Sequence, residues 1–185
     1  MNNKNNFHNI MFCPDFPRDK DYYLKKVLGK TGTATVVFSI ENNLTVIHEI
    51  LLTAALPLIT INYGHENRSS ISKVVSAIED ILNGTQSVRI GTQNFRLDKL
   101  PPFRRRVLIE TLNIQYGETI SYSQLAERAG NKMAIRAAGT AMATNPFPLI
   151  IPCHRVIKTD GTIGNYGGGI EMKRKLLKAE GVLLA

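Results

Sequence analysis

The chain has 185 residues, room for one ordinary domain or two small ones sharing an interface, and its 43% hydrophobic content supports a packed core and excludes a disordered chain. Its formal charge of +8 is unevenly spread: residues 1–100 hold 11 Lys and Arg against 9 Asp and Glu, and residues 101–185 hold 12 against 6. A basic C-terminal half suits a polyanion such as nucleic acid, although a basic surface that serves only solubility is about as common. Two distant cysteines, Cys13 and Cys153, do not make a disulfide framework, and four scattered histidines do not make a zinc cluster, so reducing surroundings, no metal and no cofactor are expected. The run "ILLTAALPLITI" (Ile50 to Ile61) is broken by Thr and Pro and is too short to span a bilayer, and "MNNKNNFHNI" has no apolar signal core. These features predict a soluble cytoplasmic protein without a membrane partner, associated with the nucleoid if the source is prokaryotic.

In chain order, "TATVVFSI" (Thr33 to Ile40) and "LTVIHEILL" (Leu44 to Leu52) are β-branched runs separated by "ENN", which predicts a hairpin. Ser69 and Ser70 then precede a helical stripe of Ile71, Val74, Val75, Ile78, Ile81 and Leu82, closed by Asn83-Gly84. "SVRIGTQNFRLD" reads as a further strand or pair, and His48 and His65 as surface or edge residues. The expected class is α+β, with a small mixed α/β unit over residues 1–99 and a helical unit over residues 100–185.

The helical unit opens at "LPPF". Pro102 suits a first helical position, and Phe103, Val107, Leu108 and Leu112 give that helix an inward face. In "GETISYSQLAERAG", Ser121 and Gln124 form a capping-box pattern, and Gly130 suits a C-terminal cap. A second helix follows in "NKMAIRAAGTAMATNP", with Asn131 as the expected N-cap and Asn145-Pro146 as the stop. Two short helices joined by a tight Gly-Asn turn in the basic half have the form of a helix-turn-helix; two ordinary packed helices fit the same pattern. Small residues let the second helix approach a partner closely, and Arg136 is the one long cation in its middle. The triplet Arg104 to Arg106 reads as a solvated helix face, with phosphate contact as the lesser alternative.

"FPLIIPCHRVI" then reads as a strand-like apolar run that delivers Cys153, followed by the glycine-bearing turn "KTDGTIGNYGGG". A lone cysteine in an apolar run is usually buried and inert. A thiol becomes a nucleophile as thiolate, and a histidine that takes its proton, itself oriented by a carboxylate, is the recurrent device. His154 is adjacent, and Glu180 on the final helix is a candidate orienter if that helix packs back. Neighbours on a strand face opposite ways, so direct contact between Cys153 and His154 needs a turn or a bridging water.

"IPCHRVI", with "GETISYSQLA" and Asn145-Pro146 before it, "GNYGGG" after it and "LLKAEG" at the end, resembles the O6-alkylguanine-DNA alkyltransferases over about Phe103 to Gly181. The resemblance implies a ribonuclease-H-like N-terminal domain and a winged-helix-like helix-turn-helix DNA-binding domain carrying the active-site cysteine. It implies Cys153 as single-use alkyl acceptor, His154 as its base through a water, Glu180 as orienter of His154, and Asn145 as the residue bonding the hinge before the cysteine. Arg136 would enter the duplex in place of the extruded nucleotide, flanked at the DNA face by Ala134 and Ile135, with Tyr122 protonating the departing guanine and crowding the adjacent phosphate. Tyr166 and the backbone of Gly167 would wall the base pocket, with Pro148 and the main chain of Val156 opposite. The implied partner is double-stranded DNA carrying O6-alkylguanine, with O4-alkylthymine as a possible second lesion, approached through the minor groove by a monomer. The alternatives are a non-enzymatic lesion-binding relative, which would lack the acceptor cysteine, and a helix-turn-helix regulator or cysteine hydrolase on another fold. Regulation leaves the Cys-His pair unexplained.

Overall fold

The computed structural model describes residues 23–41, 44–52, 68–86, 90–91 and 95–183. Strands β1 (Tyr23–Gly29), β2 (Gly32–Glu41) and β3 (Leu44–Leu51) form an antiparallel sheet in that order. The β2–β3 hairpin is the one expected from the sequence, with Phe38 opposite Ile47 and a register shift between Val37 and Phe38. Strand β1 escapes a sequence reading because Lys25 and Lys26 interrupt its apolar residues; it is held by pairing along its whole length, from Tyr23 opposite Phe38 to Gly29 opposite Gly32.

Helix α1 (Arg68–Asn83) lays Ile71, Val74, Ile78 and Leu82 on this sheet, all at most 6% exposed, as the three-and-four spacing predicts. Its end locks onto the first hairpin: Thr31 N–H donates to Leu82 O at 2.9 Å, and a Cβ on Gly29 would lie 2.4 Å from Leu82 Cβ. Only glycine fits that approach. Cys13, His65 and most of the Ile50 to Ile61 run lie outside the described residues. Of "SVRIGTQNFRLD", the described part gives a single parallel bridge from Phe95 to Ile47 and a 3-10 turn at Leu97–Lys99. His48 sits on β3 with its side chain 13% exposed and Nε2 2.8 Å from Ser39 Oγ.

Helix α2 (Pro102–Leu112) begins on Pro102 and buries Val107 and Leu108. Ser121 closes strand β4 (Ile120–Ser121) and caps α3 (Tyr122–Arg128) through a complete capping box with Gln124. At the α3–α4 connection Gly130 has φ +87, as its place after the helix requires. The expected N-cap at Asn131 is corrected: α4 (Ile135–Ala143) starts after Ala134, and Asn131 instead closes a separate turn, its Oδ1 accepting Met133 N–H at 3.1 Å. The side chain satisfies that local turn first, and the helix begins beyond it. Ala138, Ala141 and Met142 face inward, while Ile135, Arg136 and Ala137 face solvent. The arginine triplet is not a uniformly solvated face. Arg104 Nη2 donates to Thr144 O, and Arg106 Nε to Ala129 O at 3.1 Å, so α2 supplies cations to the carbonyl ends of α4 and α3.

The strand-like reading of "FPLIIPCHRVI" is also corrected. Pro148 and Pro152 have no N–H to give a ladder, Leu149 takes φ 73, and Ile151 N–H folds back to Phe147 O at 2.8 Å. Cys153–Arg155 form a 3-10 turn, and apart from an isolated bridge between Pro148 and Ile151 only Val156–Ile157 (β5) pair, in parallel with β4. Helix α5 (Ile170–Ala179) closes the chain. One apolar cluster runs from Val27, Phe38 and Ile47 through Phe95 and Phe147 to Leu149 and Leu176, so the sheet and the helices share a core. Phe95 meets Phe147 edge-on at 4.8 Å, and Ile50 N–H donates to Pro146 O at 2.8 Å, fixing the segment that leads into the cysteine turn.

Candidate active site

The turn at Cys153–Arg155 solves the problem that a strand would pose, because neighbouring side chains on it need not face opposite sides of a sheet. Cys153 is 5% exposed, and its Sγ accepts a hydrogen bond from Asn145 Nδ2 at 3.1 Å. The same nitrogen donates to Ile151 O at 3.0 Å, and Asn145 Oδ1 accepts Phe147 N–H at 3.0 Å. One amide thus ties the end of α4 to the cysteine turn. Burial pushes the thiol pKa up, while the Asn145 hydrogen bond and the charge of Lys173 oppose the rise. At neutral pH the resting sulfur is therefore a thiol that needs a base.

His154 has no exposed surface, and its Nε2 lies 2.9 Å from Glu180 Oε1. Burial pushes the ring pKa down, and the pull from Glu180 does not reverse this. For Glu180 burial acts upward, but hydrogen bonds from His154 and Arg155 outweigh it and bring the carboxyl down to about 2. A neutral ring beside an ionised carboxylate donates from Nε2, which leaves the lone pair on Nδ1. Nδ1 is buried and has no hydrogen-bond partner among the described residues. It is the nitrogen at which a proton can be taken up.

Glu180 is the C-cap of α5, and that helix packs against the cysteine turn. Arg155 grips the carboxylate with both arms of its fork, Nε to Oε2 and Nη2 to Oε1, each at 2.9 Å. Lys173, also on α5, has no exposed surface and donates from Nζ to Val156 O at 2.6 Å. Burial lowers its pKa from 10.5 to about 8. Neither cation was legible as a site residue, although both left a signal. Arg155 follows His154 directly, and Lys173 lies three, four and seven residues before Leu176, Leu177 and Glu180, on the inward face of α5.

Tyr122 at the start of α3 is half-buried and has its pKa raised, first by burial and then by Cys153, which places its phenol within electrostatic reach of the sulfur. Tyr166 meets the His154 ring edge-on at 6.3 Å, and its buried hydroxyl has no partner among the described residues. Pro148 is buried in the turn before the cysteine, bridged to Ile151, and Val156 is fully buried. Gly167 is exposed. Arg136, Ala134 and Ile135 lie away from this cluster, at the exposed start of α4, where the Arg136 guanidinium has no partner among the described residues. Met133 beside them is 83% exposed. The site therefore brings together Cys153, His154, Glu180, Asn145, Tyr122 and Tyr166, and sets Arg136 apart on an outer helix.

Among the described residues no group of three His, Cys, Asp or Glu could hold a metal ion, and no helix is long and apolar enough to cross a membrane.

Residues 102–182 match the family described as 6-O-methylguanine DNA methyltransferase, DNA binding domain. A methylated-DNA--protein-cysteine methyltransferase of Methanothermobacter thermautotrophicus is 41% identical over 115 residues, covering 62% of this chain and 64% of that protein. Its counterpart from Rattus norvegicus is 55% identical over 82 residues, 43% of this chain and 39% of that protein. The matches thus span well under the full length of these relatives. Among solved structures, Mycobacterium tuberculosis OGT in complex with DNA superposes with a TM-score of 0.58 at 27% identity, covering 85% of this chain and 92% of that one.

Proposed function

We propose, from the match of residues 102–182 to the family described as 6-O-methylguanine DNA methyltransferase, DNA binding domain, that this chain repairs DNA by moving an alkyl group from guanine O6 to Cys153, once per molecule. The observation that carries the reading is the pairing of a buried thiol with a neutral imidazole whose Nε2 is fixed on Glu180 at 2.9 Å and whose Nδ1 is unpaired among the described residues. In the proposed step His154 accepts the thiol proton through a water, the sulfur attacks the alkyl carbon in line, and the C–O bond breaks. Tyr122 gives a proton to the departing base. The product is a thioether, which has no route back to thiolate, so the protein does not turn over.

The same reading assigns Asn145 to hold the segment between α4 and the cysteine and to bond the sulfur. Tyr166, the backbone of Gly167, Pro148 and the main chain of Val156 line the pocket for an extruded base. Arg136, with Ala134, Ile135 and Tyr122, meets the minor groove, and the arginine occupies the space that the nucleotide leaves. An exposed guanidinium without a partner among the described residues, on a helix whose outer face carries Ala137 and Gly139, supports that assignment. We assign residues 1–99 to a ribonuclease-H-like domain and residues 100–185 to a winged-helix-like helix-turn-helix domain, acting as a monomer on double-stranded DNA. The presence of Cys153, hydrogen-bonded and beside a base, weighs against a relative that binds lesions without reacting.

Intact-protein mass spectrometry after incubation with a duplex carrying one O6-methylguanine tests this. The expected result is one added methyl on the wild type, mapped to Cys153 and saturating at one per molecule, and none on Cys153→Ser. An unmodified wild type that still retains the duplex would establish lesion binding instead.

A further inference from the structure

Arg155 is the strongest feature of the site that the proposed reaction does not employ. It makes three hydrogen bonds, each at 2.8 or 2.9 Å: two to Glu180 and one, from Nη1, to Ile114 O. Its guanidinium also lies 5.8 Å from the Tyr116 ring centroid. Tyr116 is itself anchored, its hydroxyl bonding Gly84 O at 2.7 Å and Ala179 O at 3.1 Å. The cation is therefore pinned from the segment between α2 and β4 and cannot swing off the carboxylate without breaking that support. Glu180 is saturated as a result: Oε1 serves His154 Nε2 and Arg155 Nη2, and Oε2 serves Arg155 Nε and Gly117 N–H at 3.3 Å.

An imidazole facing a lone buried carboxylate gains a proton and becomes half of an ion pair. Facing a carboxylate whose charge is already matched, it remains neutral. We propose that Arg155 is a positioning residue of the alkyl transfer: it fixes Glu180 and cancels its charge, so that His154 rests as a neutral base and not as an imidazolium. The inference deepens the proposed function and rests on it for the role of His154. The groups facing His154 are consistent with this. Cys153 and Arg155 come from its own turn, Lys173 and Glu180 from α5 and its cap, and Tyr166 from the loop before α5. Glu180 is the one carboxylate among them, against two cations. Burial pushes the imidazole pKa down, Glu180 pulls it up, and Arg155 and Lys173 add to the downward push.

The test compares wild type, Arg155→Met and Arg155→Lys in the pH dependence of single-turnover methyl transfer to Cys153, and follows the His154 ring protons by NMR in the free protein. Without the guanidinium, His154 charges at higher pH, so the acidic arm of the rate profile moves up. At pH 6 Arg155→Met is expected to lose about tenfold relative to its own plateau, with the plateau at pH 8.5 retained. Arg155→Lys keeps a cation and is expected to restore the arm toward its wild-type position. In a Glu180→Gln background the same Arg155→Met change should move the His154 titration less, because only the direct repulsion by the guanidinium is then lost and no carboxylate charge is released. A uniform loss at every pH with an unchanged His154 titration would show Arg155 to be structural and overturn the proposal. Should Arg155→Met not fold, the His154 titration in Arg155→Gln, which keeps a polar side chain and removes the charge, decides: a midpoint above the wild-type value supports the proposal, and an unmoved midpoint overturns it. Absence of methyl transfer in the wild type would instead refute the proposed function, and the NMR titration would still report on Arg155.

Discussion

Replacing Lys173 with methionine gives the sharpest test of how the charges are buried. The side chain has no exposed surface, and its pKa falls from 10.5 to about 8 on folding, chiefly through burial. That difference corresponds to about 3 kcal/mol, the cost of carrying the proton into the fold. Because the folded value lies below the unfolded one, the unfolded chain binds more protons between pH 8 and 10.5. Stability from this group therefore rises with pH across that window and is flat below it. Methionine has similar length and no charge, so the variant lacks the rise. At neutral pH it escapes the cost of burying the charge but also loses the bond from Nζ to Val156 O, worth about 1.5–3 kcal/mol for a charged donor, so the two effects largely cancel. Urea unfolding of wild type and Lys173→Met from pH 7 to 10.5 reads the difference directly. The wild type should gain about 3 kcal/mol relative to the variant over the alkaline window. Tyrosine ionisation affects both proteins and drops out of the comparison, and making both measurements in a Cys153→Ser background removes the thiol, whose ionisation Lys173 itself influences. Parallel curves over the whole range would refute the claim that Lys173 is buried as a cation.

Three further changes probe the rest of the site. Asn145→Ala removes the donor to Cys153 Sγ and to Ile151 O, which makes the thiol harder to ionise; its reaction with iodoacetamide at pH 8 should slow by about tenfold, and an unchanged rate would mean that the contact has no electronic effect. A Cβ on Gly164 would stand 2.6 Å from Tyr122 Oη and 2.9 Å from its Cε2, so Gly164→Ala should displace the tyrosine, reducing methyl transfer while shifting the thermal midpoint by no more than about 4 °C; a collapse in stability would place the strain in the backbone instead. Arg136→Ala should weaken transfer from duplex DNA far more than reaction with free O6-benzylguanine, and equal losses on both substrates would exclude a role for Arg136 in displacing the nucleotide.

The elements that were legible are those whose signal is local. The stripe of Ile71, Val74, Ile78 and Leu82 repeats at the helical period, Ser121 and Gln124 are three residues apart, and Pro102 marks a helix start, so each needs no knowledge of the rest of the chain. Strand β1 has no such signal, since its order comes from pairing with β2. The cysteine turn was misread for a related reason. Its apolar composition matches a buried strand, and the left-handed backbone of Leu149 cannot be inferred from a leucine, which normally avoids it. The two prolines were the available warning. In the site, Cys153, His154 and Glu180 were identifiable from chemistry that needs those residue types together, whereas Arg155 and Lys173 were not. A cation is read as solvated by default, and only the packing of α5 against the turn makes these two buried.

Those two cations also account for why a buried thiol can be kept protonated and still be ready to react. With Arg155 and Lys173 charged, Glu180 ionised and both His154 and Cys153 neutral, the cluster carries one net positive charge. Arg155 and Glu180 match each other, which leaves the charge of Lys173 acting on the sulfur, in agreement with its opposition to the rise of the thiol pKa. In the proposed reaction, proton transfer from Cys153 to His154 would create an anion within the field of an uncompensated cation, so the electrostatic work of forming a thiolate in a dry site would be reduced before substrate arrives. A site with Glu180 unmatched would behave differently, because the proton on His154 would already be present and the base consumed. On this view the arginine acts on the acceptor's base and the lysine on the acceptor itself. Loss of Arg155 should therefore move the acidic limb of reactivity, while loss of Lys173 should raise the pH at which the thiol ionises, and the two effects should be separable in one pH series.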